Sequence, residues 1–455
     1  MFARRGLPNP RYERDTAEKG RDVSIPGEQT EKHDIVRLVR ESGQTCSRPP
    51  RAADKDRNMI TSQVVLKKGR EKSVNRRHPW IFSGAIERVE GDPADGDVVD
   101  VWNNRARFVA RGIINQRSQI VVRILTWDQD ELIGEGFWRG RLERAISVRE
   151  PLAADPLTDA YRLVHAEADG LPGLIVDRYG PWLVLQFLSL AAETNRATII
   201  SHLTDLTAPQ GLFNRSEDKV REKEGLVPAT GPIWGEVPPD LVEINENGFR
   251  FLVDIKMGQK TGFYLDQREN RKISTSFFGG AEVLNAFVYT GAFAVYAAAG
   301  GATRIINVDT SEDVLKMAER NMRRNGFGGR EDVYAGADAF ELLRTYRDYG
   351  WHFNVVVLDP PKFAASKSQV EAAMRGYKDI NLLGMKLLHP GGYLITFSCS
   401  GAISPDVFQK VLFEAAVDAK RDVHIVERLG QGLDHPVLLT FPESQYLKGF
   451  ICRVW

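Results

Sequence analysis

The sequence is poor in several features that would assign it to a class. Its 455 residues hold three cysteines, Cys46, Cys399 and Cys452, none of them paired at metal-ligand spacing. So sparse and odd a set excludes a disulfide framework, predicts no metal site and fits a reducing, cytoplasmic setting. No apolar run reaches the roughly 18 residues of a membrane span, and the N-terminus lacks the apolar core of a secretory signal, so no membrane partner is expected. An excess of one charge is missing too, with 61 Lys and Arg against 61 Asp and Glu. The chain as a whole is therefore not an electrostatic nucleic-acid binder, and any RNA contact must come from a local basic patch. Internal repeats and a G-x-G-x-x-G phosphate loop are also absent, which disfavours a dinucleotide oxidoreductase.

What is present divides into four stretches. Residues 1–58 are rich in Arg, Glu, Asp, Lys and Pro, with one apolar cluster at Asp34–Val39. Such a segment buries too little apolar surface to offset its ordering entropy, and a disordered tail is expected. A translation start at Met59 would account for it equally well. Residues 59–130 carry short strands at Gln63–Leu66, Asp97–Trp102 and Ile120–Leu125, separated by Gly91-Asp92-Pro93 and Asp95-Gly96 turns. That spacing predicts a small β-barrel. Residues 131–242 alternate a helix at Phe137–Arg149, strands at Leu174–Asp177 and Trp182–Phe187, a helix at Ala192–Leu203 and a strand near Gly211–Arg215, which is an α+β unit. From 243 to 455, after a strand at Phe249–Ile255, apolar strands alternate with helices. The strands are Glu282–Phe287, Arg304–Val308, Val355–Leu358 and Tyr393–Phe397; Ala292–Ala299 and Glu312–Arg324 are helical. The last stretch is thus an α/β domain built on a mostly parallel sheet with helices on both faces.

In such sheets ligands sit outside the carboxyl ends of the strands. The first strand runs into a turn at Gly291, where a glycine lets backbone approach a ligand. The missing phosphate fingerprint favours a cofactor without phosphates. Asp309 follows Gly291 by 18 residues and ends the next strand, the position from which a ribose hydroxyl is held. The competing role is a cap on the helix that begins at Glu312. Asp338, after the third strand, suits an adenine amine or, again, a cap.

The most specific stretch is Val355–Leu358 running straight into Asp359-Pro360-Pro361-Lys362-Phe363. Two prolines fix the backbone and stop the strand at the ligand end of the sheet, forming a rigid wall for a flat base. Another strand delivers Ser398-Cys399-Ser400. C5 of cytosine is a weak nucleophile toward a methyl sulfonium; a thiolate added at C6 makes C5 enamine-like. Cys399 is thus a candidate nucleophile and Asp359 the nearest candidate base for the C5 proton. A buried structural cysteine is the competing role.

These residues, with several blocks in the same order, resemble the ribosomal RNA large subunit methyltransferase I family. The blocks are Leu66–Ser73, Arg77–Gly84, Val220–Leu226, Gly258–Arg271, Leu358–Phe363 and Ser398–Ser400, and the resemblance runs from about Ile60 to the C-terminus. It implies a Rossmann-like class I methyltransferase domain preceded by a PUA-like β-barrel and a middle α+β domain. It implies S-adenosylmethionine as cofactor and 5-methylcytosine formation in 23S rRNA or a large-subunit assembly particle. Asn285, Phe287, Tyr289, Thr290, Gly291, Phe293, Asp309, Asp338 and Asp359 would line the cofactor site, and Cys399 matches the family's nucleophile. Related cytosine enzymes carry a second cysteine at the Asp-Pro-Pro position; this chain has none there, which leaves the base that removes the C5 proton open. A homodimer is compatible with the resemblance.

For RNA contact, Lys67, Lys68, Arg70, Lys72, Arg76 and Arg77 cluster with only Glu71 opposing them, and Trp80 and Phe82 follow. Such a patch can neutralise phosphates and stack a base. Lys260, Arg268, Arg271, Pro360 and Lys362 are placed at the RNA side of the methyltransferase domain, where a paired target would be flipped out. Two other readings compete: methylation of a guanine or an amino group without a cysteine, and a non-catalytic ribosome-assembly factor.

Overall fold

The computed structural model describes residues 62–217, 219–364 and 367–455. The N-terminal stretch 1–58, with Cys46, lies outside the described residues. Among those described, no helix is long and apolar enough to cross a membrane, and no group of His, Cys, Asp or Glu is placed to hold a metal ion.

Six strands form the first sheet, in the order Trp80–Phe82, Ile120–Thr126, Phe108–Ile114, Val98–Trp102, Gln63–Leu66 and Ile86–Glu90. Alternating side chains from them, among them Val64, Leu66, Val99, Val101, Val122 and Ile124, make its core. The second sheet has five strands, in the order Ala229–Gly235, Gly211–Ser216, Trp182–Phe187, Leu174–Tyr179 and Ala160–His165. Helices Glu135–Val148 and Arg196–Thr207 cover it through Trp138, Leu142, Ile199 and Leu203. Phe249–Val253, the strand expected ahead of the parallel sheet, pairs with Val242–Glu246 as a separate hairpin. Its backbone edge is satisfied from outside: Leu252 N donates to Asn321 Oδ1 at 2.8 Å.

The third sheet has seven strands: β1 (Glu282–Ala286), β2 (Arg304–Asp309), β3 (Val333–Gly336), β4 (Phe353–Leu358), β5 (Leu388–Ser398), β6 (Val423–Gly430) and β7 (Lys448–Val454). Their spatial order is β3-β2-β1-β4-β5-β7-β6, parallel except that β7 runs antiparallel to both its neighbours. Helices α1 (Ala292–Ala299), α2 (Glu312–Arg324), α3 (Ala339–Asp348), α4 (Val370–Lys386) and α5 (Pro405–Ala419) connect the strands. In β4, Val355 and Val357 point into one core and Val356 and Leu358 into the other. Burial on both faces explains why this strand reads as an unbroken apolar run rather than an alternating one. Each such side chain contributes about 1.5–3 kcal/mol by leaving water.

Buried ion pairs tie the middle sheet to the third. Arg149 donates to both Asp169 oxygens, at 2.8 and 2.9 Å, and to Asp434 O at 2.9 Å. Asp434 also accepts from Arg268 at 2.9 Å and from Arg162 N at 2.8 Å. Burial alone would raise the Asp434 pKa; His435 and Arg268 outweigh it and hold the carboxyl well below the usual range. Arg123 joins the first sheet to the second, bonded to Glu167 at 2.9 Å and Glu224 at 2.8 Å.

Candidate active site

The strand order reverses at β1, which has β2 on one side and β4 on the other, so a crevice forms at the carboxyl ends of these strands. After β1 the chain makes a tight loop in which Phe287 and Tyr289 adopt positive φ (63° and 49°). Non-glycine residues held there carry strain that the surrounding structure has to fix. The fixing bonds are visible. Tyr289 N donates to Asp309 Oδ2 at 3.1 Å; the Tyr289 hydroxyl accepts from Gln259 N at 3.1 Å and donates to Gly262 O at 2.8 Å. Gly291 has φ +80°, and a Cβ there would lie 2.6 Å from Ala318 Cβ. Its glycine thus serves close packing of α2 against the turn as well as backbone approach to a ligand.

The sequence-predicted cofactor residues divide on inspection. Asp309 ends β2 half-buried, its Oδ1 accepting from Ser311 N at 3.1 Å; Ser311, not Asp309, caps α2. Asp338 is exposed and does cap α3, accepting from Glu341 N. Asn285 is buried in a cross-strand pair with Asn307, at 3.1 Å, below the loop. Phe293 is buried against Phe397, so both Asn285 and Phe293 support the crevice from beneath. Thr290 is buried with its hydroxyl unpartnered among the described residues. An orphaned hydroxyl and a half-buried carboxylate flanking a strained loop fit a cofactor with polar, phosphate-free groups.

Beyond the crevice stand Asp359 at the end of β4 and Cys399 at the end of β5. The two strands are hydrogen-bonded neighbours, pairing Leu358 with Thr396. Cys399 Sγ lies 4.0 Å from Pro360 O. Burial pushes the Asp359 carboxyl up to about 7, Asp266 pushes the same way, and Gln267, donating to Oδ2 at 3.0 Å, opposes. The thiol of Cys399 is pushed up to about 11, first by burial and then by Asp359. The charges of Lys260 and Lys362 pull it down; both lysines are exposed, while Pro360 is buried.

Several participants carried no recognised local signal. Tyr264, Asp266 and Gln267 come from the irregular segment after Gly258, whose blocks are distinctive but show no period. Lys448 is buried behind Cys399 and donates to Ser400 O at 2.7 Å and Ile403 O at 2.6 Å, closing the turn that carries the thiol. Burial lowers its pKa to about 8. The Ser400 hydroxyl accepts from Ala364 N at 3.2 Å and so ties that turn to the Asp-Pro-Pro loop.

Three RNA-side expectations need correction. Arg268 is only 1% exposed and paired with Asp434, and Arg271 is equally buried against Glu246 at 2.7 Å. Neither guanidinium faces solvent, because a buried carboxylate claims each one. Trp80 is no free stacking platform: its indole donates to Glu167 at 2.8 Å and packs edge-on against Phe441. Phe82 stays 47% exposed. Lys67, Lys68, Arg70, Lys72, Arg76 and Arg77 are all exposed, Arg77 lying over the Trp127 ring at 5.1 Å.

The strand order, with its single antiparallel strand and its carboxyl-end crevice, defines a class I S-adenosylmethionine-dependent methyltransferase. A family model described as S-adenosylmethionine-dependent methyltransferase matches residues 206–445, and a PUA-like domain model matches residues 64–127. The ribosomal RNA large subunit methyltransferase I of Klebsiella pneumoniae (strain 342) is 49% identical over 392 residues, covering 86% of this chain and 98% of the relative. That of Escherichia coli (strain K12) is 48% identical over 395 residues, covering 87% and 100%. The chain belongs to the ribosomal RNA large subunit methyltransferase I family. A Streptococcus mutans chain described as a SAM-dependent methyltransferase shares the fold, with TM-score 0.75 at 21% identity over 86% of this chain and 99% of that one.

Proposed function

We propose that the protein methylates C5 of a cytosine in large-subunit ribosomal RNA, in the cytoplasm, through a transient bond between Cys399 and C6. The observation that carries this reading is the half-buried thiol at the end of β5 beside the enclosed Asp359 carboxyl at the end of β4. Methylation of a nitrogen requires no thiol at that position. The cofactor supplies an electrophilic methyl on a sulfonium; the loop Phe287–Gly291, with Asp309, Asp338 and Asp359, would hold it. The 59–130 region, a PUA-like unit, would dock RNA.

The residues of this chain then have the following tasks. As the S–C6 bond forms, the thiol proton passes to the pyrimidine ring and C5 becomes enamine-like. Once C5 carries the methyl, Asp359 takes the C5 hydrogen as a proton. The C5=C6 bond re-forms, the S–C6 bond breaks, and the ring returns a proton to sulfur. Pro360 and Pro361 keep the wall rigid, so the base is held rather than found by collision. Lys448 positions the thiol by fixing its turn.

The test is chemical identification of the product. Purified protein, labelled S-adenosylmethionine and undermodified 23S rRNA are expected to give label in 5-methylcytidine after digestion. Label in methylguanosine or in an N-methylated base would sink the C5 reading while leaving the methyltransferase class intact. For the basic patch, simultaneous Lys68→Ala, Arg70→Ala and Lys72→Ala is expected to raise the KM for RNA about tenfold or more without lowering kcat. The slope of log affinity against log salt should fall by about 2–3. An unchanged slope would remove these side chains from the RNA interface.

A further inference from the structure

A cavity of about 440 Å³ lies between the middle sheet and the methyltransferase domain. That volume is within the range of sites that enclose small ligands. Phe263, Tyr264, Asp266 and Tyr446 form its wall on the methyltransferase side, and Arg162 and Lys260 also line it. The cavity adjoins the reaction centre: Gln267, next in the chain to Asp266, donates to Asp359 Oδ2 at 3.0 Å, and the Asp266 charge raises both the Asp359 carboxyl and the Cys399 thiol.

The two oxygens of Asp266 are treated differently. Oδ2 accepts from the Tyr446 hydroxyl at 2.6 Å. Oδ1 is buried and has no hydrogen-bonding partner among the described residues. A buried acceptor left empty is costly, and in a native structure such an atom calls for a role. We propose that Asp266 selects the target base, its free Oδ1 accepting an N–H from the exocyclic amine of a cytosine flipped into this cavity. Uracil presents a carbonyl oxygen at the same ring position, which would set two acceptors against each other. Tyr446 fixes the carboxyl in the orientation that leaves Oδ1 free, making it a positioning residue. This inference rests on the C5 reading and deepens it.

The experiment uses the full chain and transcribed large-subunit rRNA in which the mapped target is cytosine, uracil or 2-pyrimidinone, which lacks the amine without adding bulk. Wild-type protein is expected to prefer cytosine over uracil by about 1000-fold or more in kcat/KM, as sites built around one buried polar group do. Asp266→Asn, whose amide donates where the carboxyl accepted, is expected to lose at least 100-fold on cytosine and to bring the two bases within about tenfold of each other. A merely structural role would lower both bases alike. With wild-type protein, the KM for the 2-pyrimidinone RNA should rise about tenfold or more, a result that does not depend on any variant folding. An unchanged preference in Asp266→Asn, or an unchanged KM with 2-pyrimidinone, overturns the proposal. A 5-fluorocytidine transcript separates the two levels. If wild-type protein forms a covalent adduct with it but the preference is unchanged, only the role of Asp266 falls. If no adduct forms and no 5-methylcytidine is made, the C5 reading falls with it.

Discussion

Cys399→Ala is expected to abolish methyl transfer, by about 10⁴-fold or more in kcat, while S-adenosylmethionine binding and folding persist. The size follows from the chemistry: without addition at C6, C5 has no enamine character, and 10⁴-fold corresponds to about 5.5 kcal/mol of lost barrier reduction. Folding should persist because the side chain is small and half-buried, and its one polar contact is a long 4.0 Å approach to Pro360 O. Loss of so little packing costs about 1 kcal/mol at most. Three measurements define the outcome: tritium transfer to rRNA, calorimetric binding of the cofactor, and thermal melting. A variant that still methylates within tenfold of wild type would assign the reaction to a nitrogen or guanine acceptor. Because the thiol stands near 11 in the free protein, it is not a standing thiolate. Alkylation by iodoacetamide near neutral pH should therefore be slow, and faster above pH 9.

The same residues show what local sequence can and cannot convey. Val355–Leu358 followed by Asp-Pro-Pro was legible because everything that shapes it is adjacent: an apolar run for a strand buried on both faces, then residues that cannot continue it. The placement of Cys399 followed from the same logic, as did α1 and α2. Arg268 was not legible. In sequence it is a cation in a polar block; in the fold it is buried by Asp434, 166 residues away. Trp80 is similar, since Glu167, 87 residues on, claims its indole. Asp266 sits inside the distinctive Gly258–Arg271 block, but nothing local says which of its side chains reaches the site, and Lys448 lies there for reasons of long-range packing that its neighbours do not mark. Strand β6 escaped notice because it is the exposed edge of the sheet and carries no apolar period; β7 is buried between β5 and β6, yet its short run Lys448–Val454 is broken by Lys448, Gly449 and Arg453. The glycine at 291 was placed correctly, yet part of its reason lies in α2, where Ala318 fills the space a side chain would take.

Asp359→Asn is expected to trade activity for stability, with a pH signature that identifies the cause. The Asp359 carboxyl stands at about 7 in the folded protein against 3.8 ordinarily, mainly because burial disfavours its charge. Below about pH 4 the carboxyl is protonated in both folded and unfolded chains, and it costs nothing. As pH rises from 4 to 7, the unfolded chain releases its proton first, so stability falls; above 7 the penalty is complete. Full burial would make that penalty about 4 kcal/mol, and the partial solvent contact of the residue reduces it to about 2–3 kcal/mol. Asparagine keeps the shape and can still accept from Gln267 but does not titrate. Its melting temperature should match wild type near pH 4 and exceed it by several degrees at pH 8. Methylation should move the other way. In wild type, kcat/KM should climb as pH passes through about 7 and the carboxylate forms; in Asp359→Asn it should be lost by about 10³-fold or more, as expected for removal of a general base. Melting curves at pH 4 and pH 8, beside a pH–rate profile, test both halves. Equal stabilisation at the two pH values would show that packing rather than charge burial separates the variants. Retained activity would mean that another group removes the C5 proton, and Asp359 would then act only as the wall that holds the base and the cofactor.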